Sequence, residues 1–275
     1  GGLRHRKSPR RDIVLVHGDT ASTLLAAIAG RILGSSVAHV EAGLRSFKLL
    51  DPFPEELIRI LVGRLSMIAF APGDWASRNI KSKRCEIVNT GANTLLDAVR
   101  FALKAGEVNE ESNAPAYCVV TIHRFETLIS RKRLRWLIDE IARLEGRFQV
   151  VFVLHPATRR KLETYKLFNI LETMPHVKLA DRMTYVPFIQ LLRQSRFVVS
   201  DGGSNQEELA YMRKPVLILR NSTERQEGLG AGAELCSFDR ENFRVFVDRV
   251  GKNYAGGIMS NCCHRPSKTI VDRLL

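Results

Sequence analysis

The sequence contains no long apolar run, and this absence limits the kinds of protein it can encode. None of its 275 residues lies in a stretch that approaches the roughly 18 consecutive apolar residues needed to cross a bilayer. The basic N-terminal segment also lacks the apolar core of a signal peptide. We therefore expect a cytoplasmic protein without a membrane partner, whose 45% hydrophobic residues suffice for one or two cores.

Cysteine is scarce, which argues against a disulfide framework or a zinc site. The five cysteines are an odd number and show no CxxC spacing, and two of them lie in or beside apolar strands. Reduced thiols are the expectation, and no metal is expected. We assign no chemistry to Cys85, Cys118, Cys236, Cys262 and Cys263.

Aromatic residues make up only 7% of the chain, and acids are outnumbered by bases. The formal net charge of +13 favours an anionic partner. Basic residues cluster in 4–11 and 131–135, where a solvated face is the usual explanation. Without interleaved aromatics or a nucleic-acid module, a phosphorylated metabolite is favoured and no nucleic-acid partner is expected.

Apolar strand patterns alternate with helical patterns along the chain, which predicts parallel sheets. A polar stretch without periodicity, 105–116, divides this alternation into two halves. We predict an α/β fold of two doubly wound, Rossmann-like domains at 1–106 and 115–260, with a C-terminal helix in 261–275 that packs back on the first domain. The predicted strands are 12–18, 37–42, 67–72, 86–91, 117–122, 150–155, 177–179, 197–200 and 215–219, and the predicted helices are 21–33, 55–65, 93–104, 131–144, 158–171, 185–194 and 206–212.

Three acids stand at strand ends or at a helix start in the first half. Asp19 and Glu41 each follow a β-branched run, and ligands of parallel sheets bind outside the carboxyl ends of the strands. Glu55 follows Pro54 at the first turn of a predicted helix. Structural alternatives stay open: Asp19 as a helix cap, Glu41 paired with Arg45, and Glu55 as a first-turn acid.

The segment 200–208 contains the most specific local pattern of the second half. Gly202 and Gly203 follow a strand and lead into a helix, so backbone N–H groups can approach a diphosphate. Further along, Glu208 could accept two hydrogen bonds from the cis-diol of a ribose. A tight turn with an Asn or Ser cap is the alternative.

Other strand ends of the second half carry basic and polar residues. His123 and Arg124 follow one predicted strand, and His155 closes the next. Imidazole titrates near neutrality, so His123 is a candidate cation or proton donor at a departing phosphate. Arg225 is a candidate phosphate ligand, with a pair to Glu224 or Glu227 as the alternative.

In this order, the motifs resemble the non-hydrolysing UDP-N-acetylglucosamine 2-epimerase family over nearly the whole chain. The resemblance implies a fold of the glycosyltransferase-B type, with the nucleotide held mainly by the C-terminal domain and the sugar facing the N-terminal domain. It rests on His17-Gly18-Asp19-Thr20, His39-Val40-Glu41-Ala42-Gly43-Leu44-Arg45, Pro54-Glu55-Glu56, Thr90-Gly91-Ala92-Asn93-Thr94, His123-Arg124, Asp201-Gly202-Gly203 with Gln206-Glu207-Glu208, and Thr223-Glu224-Arg225.

The resemblance also implies roles for individual residues. Asp19, Glu41, Glu55 and His123 match the catalytic set, and which acid takes the C2 proton stays open. The expected substrate-binding residues are Arg45, Arg59, Arg124, His155, Gly202, Gly203, Ser204, Glu208 and Arg225. The implied partners are a UDP-sugar substrate and a second copy in a homodimer, with no cofactor and a role in polysaccharide biosynthesis.

The implied reaction interconverts UDP-N-acetylglucosamine and UDP-N-acetylmannosamine through elimination and re-addition of UDP. Other candidates are a hydrolysing relative, a non-catalytic UDP-sugar binding protein and, least favoured, a glycosyltransferase of the same fold. Two departures from the family pattern bear on this choice. A Gly-Thr-Arg-Pro-Glu loop is absent, and so are the first two strand-helix units of the N-terminal domain, so we expect a partial N-terminal domain in a fragment of a longer gene product. In addition, 202–205 reads Gly-Gly-Ser-Asn where Ser-Gly-Gly-Ile is commoner.

Overall fold

A computed structural model describes residues 12–49, 53–81, 84–106, 116–252 and 263–275. The chain forms two compact units, Gly1–Asp97 with Cys263–Leu275, and Ala98–Cys262. The basic cluster in 4–11, Cys262 and most of the predicted linker lie outside the described residues. Each unit is therefore considered by itself.

The first unit contains a four-stranded parallel sheet with the strands in sequence order. Thr20 begins the first helix, because its side-chain oxygen accepts a hydrogen bond from the backbone N–H of Thr23. The elements are β1 (Ile13–His17), α1 (Ala21–Ile32), β2 (Ser36–Val40), α2 (Glu55–Leu65), β3 (Ile68–Ala71), α3 (Asp74–Asn79), β4 (Glu86–Asn89) and α4 (Leu95–Ala105), the last of which continues into the second unit.

The second unit contains a six-stranded parallel sheet that follows the dinucleotide-binding strand order. Its elements are β5 (Tyr117–Thr121), α5 (Phe125–Leu128), α6 (Arg131–Ala142), β6 (Gln149–Leu154), α7 (Pro156–Thr164), α8 (Phe168–Glu172), β7 (Val177–Asp181), α9 (Tyr185–Gln194), β8 (Val198–Ser200), α10 (Gly203–Tyr211), β9 (Val216–Ile218), β10 (Ala233–Leu235) and α11 (Arg240–Lys252).

The order of this second sheet is β7-β6-β5-β8-β9-β10. The chain winds outward from β5 in one direction and, after β7, returns to β8 and winds outward in the other. The carboxyl ends of β5 and β8 therefore flank the topological switch point, where open α/β sheets bind their ligands. This position determines where the second unit presents its functional loops.

Apolar side chains cover both faces of each sheet. In the second unit Phe197 lies edge-on between two other rings, with ring centroids 5.2 Å from Phe148 and 5.7 Å from Phe246. In the first unit Val62 of α2 packs with Val16 and Val37 on one face of the sheet. These cores hold the strand ends, and so the loops that follow them, in fixed positions.

The last helix, α12 (Pro266–Leu274), belongs to the first unit. Its Ile270 is buried with Val40 and Phe70 on the sheet face opposite α2. The backbone N–H of Ser267 donates to the Asp97 carboxylate over 2.8 Å, which satisfies one free amide of the helix start. The C-terminal segment thus completes the core of the first unit.

Several predicted elements differ from the structure. The single helix predicted over 158–171 is wrong: α7 and α8 are separate, and Lys166 between them has a left-handed φ of 56°. The sequence interpretation also omitted α5, β10 and α11, although Phe243, Phe246 and Val250 recur in α11 at helical spacing. No helix in the described part of the chain is long and apolar enough to span a membrane.

The packing of α12 predicts a large loss of stability for Ile270→Ala, of about 2–4 kcal/mol in the unfolding of the first unit. In a Trp136→Phe background, the fluorescence of Trp75 reports this unit alone during chemical denaturation, since the chain has 2 tryptophans. Val271→Ala is the control, because Val271 is half exposed and should change the free energy by less than about 0.5 kcal/mol. Equal effects of the two substitutions would contradict the packing.

Candidate functional site

The loops after β1 and β2 carry two of the three predicted catalytic acids. His17 lies opposite Val40 in the parallel pairing, so Asp19 and Glu41 follow neighbouring strand ends at one edge of the sheet. Glu55 begins α2, one helical turn before Arg59. The first unit therefore positions all three acids with short loops on a rigid sheet and one helix start.

Asp19 is held by an arginine and does not cap α1. Its Oδ2 accepts hydrogen bonds from Nε and Nη2 of Arg59, over 2.9 and 2.5 Å. The capping role belongs to Thr20, so the helix-cap alternative for Asp19 is wrong. Arg59 is only 8% exposed, and its Nη1 also donates to Glu56 over 3.3 Å.

Glu56 is the buried anion on which this cluster depends. It has no exposed surface and accepts hydrogen bonds from Nε of Arg45 over 2.5 Å and from the backbone N–H of Ser46 over 3.0 Å. Burial raises its pKa, but the Ser46 amide and the two arginines outweigh burial, and the pKa of Glu56 is lowered. Arg45 therefore pairs with Glu56, and the suggested pair of Arg45 with Glu41 is wrong.

Glu41 lies in a left-handed backbone conformation, with a φ of 69°. Its Oε1 accepts a hydrogen bond from the Asn93 side chain, which follows β4, and its Oε2 lies 3.8 Å from Nε2 of His17. A Cβ atom at Gly18 would lie 3.4 Å from that same Oε2. The loops after β1, β2 and β4 therefore meet at this carboxylate.

His39 in β2 contacts the loop after β1, and the sequence analysis assigned it no role. It is 2% exposed, and its Nε2 donates to the carbonyl oxygen of Gly18 over 2.8 Å. Burial lowers its pKa, which leaves the ring neutral near pH 7. Its place in a strand, one residue before the end of β2, was the available signal.

Glu55 differs from the other acids in its surroundings. Its Oε2 is buried and has no hydrogen-bond partner among the described residues. A buried carboxylate oxygen without a donor is energetically costly, and such groups in native structures call for an explanation. One such explanation is that this oxygen accepts a proton from a bound ligand.

At the switch point of the second unit, a buried aspartate joins the ends of two strands. Asp201 has no exposed surface, and its two carboxylate oxygens accept the backbone N–H groups of His123 and Arg124, each over 3.0 Å. This bidentate contact connects the loop after β5 to the end of β8. The position of the His123 side chain is therefore set by the backbone around it.

The ring of His123 is partly exposed and lies 5.9 Å from the His155 ring, measured between centroids. Burial lowers the pKa of His123, and Asp201, with Nδ1 to Oδ1 at 3.6 Å, offsets this in part. His155 caps α7, because its Nδ1 accepts the backbone N–H of Ala157 over 3.2 Å. Two imidazoles thus stand side by side at neighbouring strand ends.

The glycines at 202 and 203 permit close packing at the start of α10. A Cβ atom at Gly202 would lie 3.0 Å from Cε1 of His123, and one at Gly203 would lie 3.0 Å from Oε1 of Glu224. Gly202 caps the helix without a side-chain hydrogen bond, so the alternative of an Asn or Ser cap is wrong. Ser204 in the first turn is exposed.

Arginines surround this helix start, each with an acidic partner. Arg220 donates to Glu224 over 2.8 Å, and Arg124 lies 3.8 Å from the same carboxylate. Arg225 pairs with Glu207, an acid that the sequence analysis had not suggested as its partner. The side chain of Gln206 donates to the carbonyl of Arg225 over 3.1 Å, so α10 also holds this loop.

Glu208 lies in the second turn of α10 and is 4% exposed. Its Oε2 accepts a hydrogen bond from Nδ2 of Asn205 over 3.1 Å. Burial raises the pKa of Glu208, and the side chains of Asn205 and Tyr185 and the charge of nearby Arg225 oppose that shift. No group of three metal-ligating side chains occurs within the residues that the structure describes.

Fold and site together define an α/β protein of the glycosyltransferase-B type, built from two Rossmann-like units with functional loops at the carboxyl ends of parallel strands. The fold class predicted from the sequence is confirmed by this architecture and by solved structures of similar proteins.

The chain belongs to the UDP-N-acetylglucosamine 2-epimerase family, whose model matches residues 4–253, and the resemblance found in the sequence is confirmed. A UDP-N-acetylglucosamine 2-epimerase of Methanocaldococcus jannaschii is 32% identical over 242 residues, which are 84% of this chain and 66% of that protein. The chain thus spans about two thirds of that relative's length.

Two solved structures are similar to this chain. The M. jannaschii enzyme in complex with UDP-GlcNAc and UDP has a TM-score of 0.84 at 30% identity, covering 96% of this chain and 75% of its own. The Neisseria meningitidis enzyme bound to UDP-GlcNAc has a TM-score of 0.82 at 30% identity, covering 96% of this chain and 76% of its own.

The Glu56 cluster predicts that Glu56→Gln lowers the unfolding free energy of the first unit by about 3 kcal/mol, because two arginines lose a buried partner. Glu86→Gln is the matched control, since Glu86 forms an exposed pair with Arg273 that is worth at most about 1 kcal/mol. Trp75 fluorescence in the Trp136→Phe background measures both. Equal losses would show that Glu56 does not hold the cluster.

The buried ring of His39 predicts a pH effect. Its pKa is lower in the folded protein than the usual 6.5, so stability is full above that value and falls as pH decreases below it. Between pH 6.5 and 5 the loss is at most about 2 kcal/mol. His39→Gln should show a shallower decline in denaturation experiments, and an unchanged pH dependence would contradict a buried neutral histidine.

Proposed function

We propose that the protein is a nucleotide-sugar 2-epimerase that interconverts UDP-N-acetylglucosamine and UDP-N-acetylmannosamine. The observation that carries this proposal is the fixed position of His123 beside Gly202 at the start of α10, held by the buried Asp201. A helix start with close glycines is suited to a diphosphate, and an imidazole beside it is suited to a diphosphate that departs.

In this proposal the second unit binds UDP. The first amides of α10 and Arg124 contact the diphosphate, and Glu208 accepts hydrogen bonds from the ribose. His123 is neutral near pH 7 in the free protein, because its pKa is lowered by burial. The charge of a bound diphosphate favours the imidazolium form, so substrate binding itself prepares His123 to stabilise the leaving group.

The first unit supplies the carboxylates for chemistry at C2. One of Asp19, Glu41 and Glu55 accepts the C2 proton while the bond from C1 to the UDP oxygen breaks, and the C–H electrons form the C1=C2 double bond of a glycal. UDP then adds back to C1 as a carboxylic acid returns a proton to the opposite face of C2. Reactants and products have the same oxidation state, so the reaction needs no redox cofactor.

The same family membership supports further parts of the proposal. We place the sugar on the first unit and UDP on the second, with Arg45, Arg59, His155, Gly203, Ser204 and Arg225 as further substrate-binding residues. We also propose a homodimer that acts in the cytoplasm, in polysaccharide biosynthesis. The relatives' names and the bound ligands of the two solved structures support the substrate class.

Incubation of the protein with UDP-N-acetylglucosamine in deuterated water tests this function. We expect UDP-N-acetylmannosamine to form and deuterium to enter C2 of both nucleotide sugars, as detected by NMR and mass spectrometry. Free N-acetylmannosamine with UDP would instead identify a hydrolysing enzyme. If the protein binds UDP but forms no product and exchanges no deuterium, it is a binding protein and the epimerase proposal is wrong.

Matched glutamate variants sharpen this test. Glu55→Gln should slow exchange about 100-fold or more if Glu55 transfers a proton, and Asp19→Asn and Glu41→Gln test the other acids in the same way. Glu163→Gln is the control, because Glu163 is exposed on α7 in the second unit. If none of the three acid variants slows exchange beyond the control, the assigned acids are wrong.

A further inference from the structure

Asn205 occupies a position where the family resemblance gives isoleucine as the commoner residue, and the structure gives this asparagine a specific set of contacts. Its side chain is buried, with 9% of the residue exposed. An apolar side chain at this place would fill space without a directed contact. The amide instead makes two hydrogen bonds with different neighbours.

One of these neighbours is the strand end before the glycines. The hydroxyl of Ser200 donates to Oδ1 of Asn205 over 3.0 Å, and the same hydroxyl accepts the backbone N–H of Gly202 over 3.1 Å. Ser200 has no exposed surface. The hydroxyl therefore fixes which end of the Asn205 amide is the oxygen.

The other neighbour is Glu208. With Oδ1 fixed toward Ser200, Nδ2 of Asn205 points to Oε2 of Glu208, 3.1 Å away. The carboxylate is buried at 4% exposure, where a charge without a donor is costly. A continuous buried chain of hydrogen bonds thus joins the glycine loop to the carboxylate.

We propose that Asn205 is a positioning residue, which holds the Glu208 carboxylate in the orientation that accepts hydrogen bonds from the two ribose hydroxyls of UDP. This inference rests on the proposed function, because it assumes a uridine nucleotide at α10. One oxygen of Glu208 accepts the Asn205 amide, and the Tyr185 hydroxyl lies beside the same carboxylate, so the carboxylate is held in place before the ribose arrives.

The test compares UDP with 2′,3′-dideoxy-UDP by calorimetry, in the full protein. Wild type should bind UDP about tenfold or more tightly, because hydrogen bonds to a buried carboxylate are lost without the hydroxyls. Asn205→Asp keeps the size of the side chain and the acceptor for Ser200, but it loses the donor. Its preference for UDP should fall below about threefold, since Glu208 is no longer oriented.

Inorganic pyrophosphate separates positioning from general damage to the loop. In Asn205→Asp its affinity should change by the same factor as that of 2′,3′-dideoxy-UDP, within about twofold, because both ligands meet the added carboxylate and neither has ribose hydroxyls. A loss of UDP binding no larger than the loss of pyrophosphate binding would overturn the positioning role. Ser200→Ala frees the amide to rotate and should reduce the preference for UDP by an intermediate factor, which keeps the test valid if Asn205→Asp does not fold.

Asn169→Asp is the control for the change in charge, because Asn169 is exposed on α8, and its preference should match wild type. If wild type binds UDP and Asn205→Asp prefers UDP over 2′,3′-dideoxy-UDP as strongly as wild type does, the inference is overturned and the proposed function stands. Absence of any UDP binding by wild type would overturn both. Equal binding of UDP and 2′,3′-dideoxy-UDP by wild type would show that the ribose hydroxyls make no contact, and this result would overturn the inference.

Discussion

The buried carboxylate of Asp201 is the interaction on which the second unit's site depends. It lies at the switch point of the sheet, and its two oxygens bind backbone amides from the loop after another strand. Burying a carboxylate costs several kcal/mol unless hydrogen bonds compensate, and two amides in this geometry provide that compensation. These two hydrogen bonds hold the loop that carries His123 at the end of β8, with the imidazole beside the start of α10.

The first unit uses the same device with a different acid. Glu56 is fully buried, accepts a backbone amide from the loop after β2, and binds two arginines, one of which holds Asp19. In both units an acid that is not itself proposed for chemistry positions the residues that are. Such buried anions confine their neighbours because any rearrangement would leave a charge without partners.

This arrangement separates two demands of the proposed reaction. Departure of a diphosphate requires donors and cations at fixed positions, and the second unit supplies them through a helix start and an imidazole. Removal of a weakly acidic C2 proton requires a carboxylate with a free oxygen, and Glu55 has one buried oxygen without a described partner. Asp19 is bound to an arginine and Glu41 to an asparagine, so hydrogen bonds already hold their carboxylates. Glu55 therefore differs from the other two acids in its surroundings.

The sequence by itself determined the alternation of strands and helices, the parallel sheets and the strand-end placement of Asp19, Glu41 and His123. These depend on local hydrophobic periodicity and on turn residues, and both signals can be recognised from a few neighbouring residues. It did not determine the partners: Arg45 binds Glu56 instead of Glu41, and Arg225 binds Glu207. Only the tertiary structure decided these, because ion pairs and buried hydrogen bonds join residues that are far apart in the chain, and adjacency in sequence carries little information about which charges meet once the strands have paired.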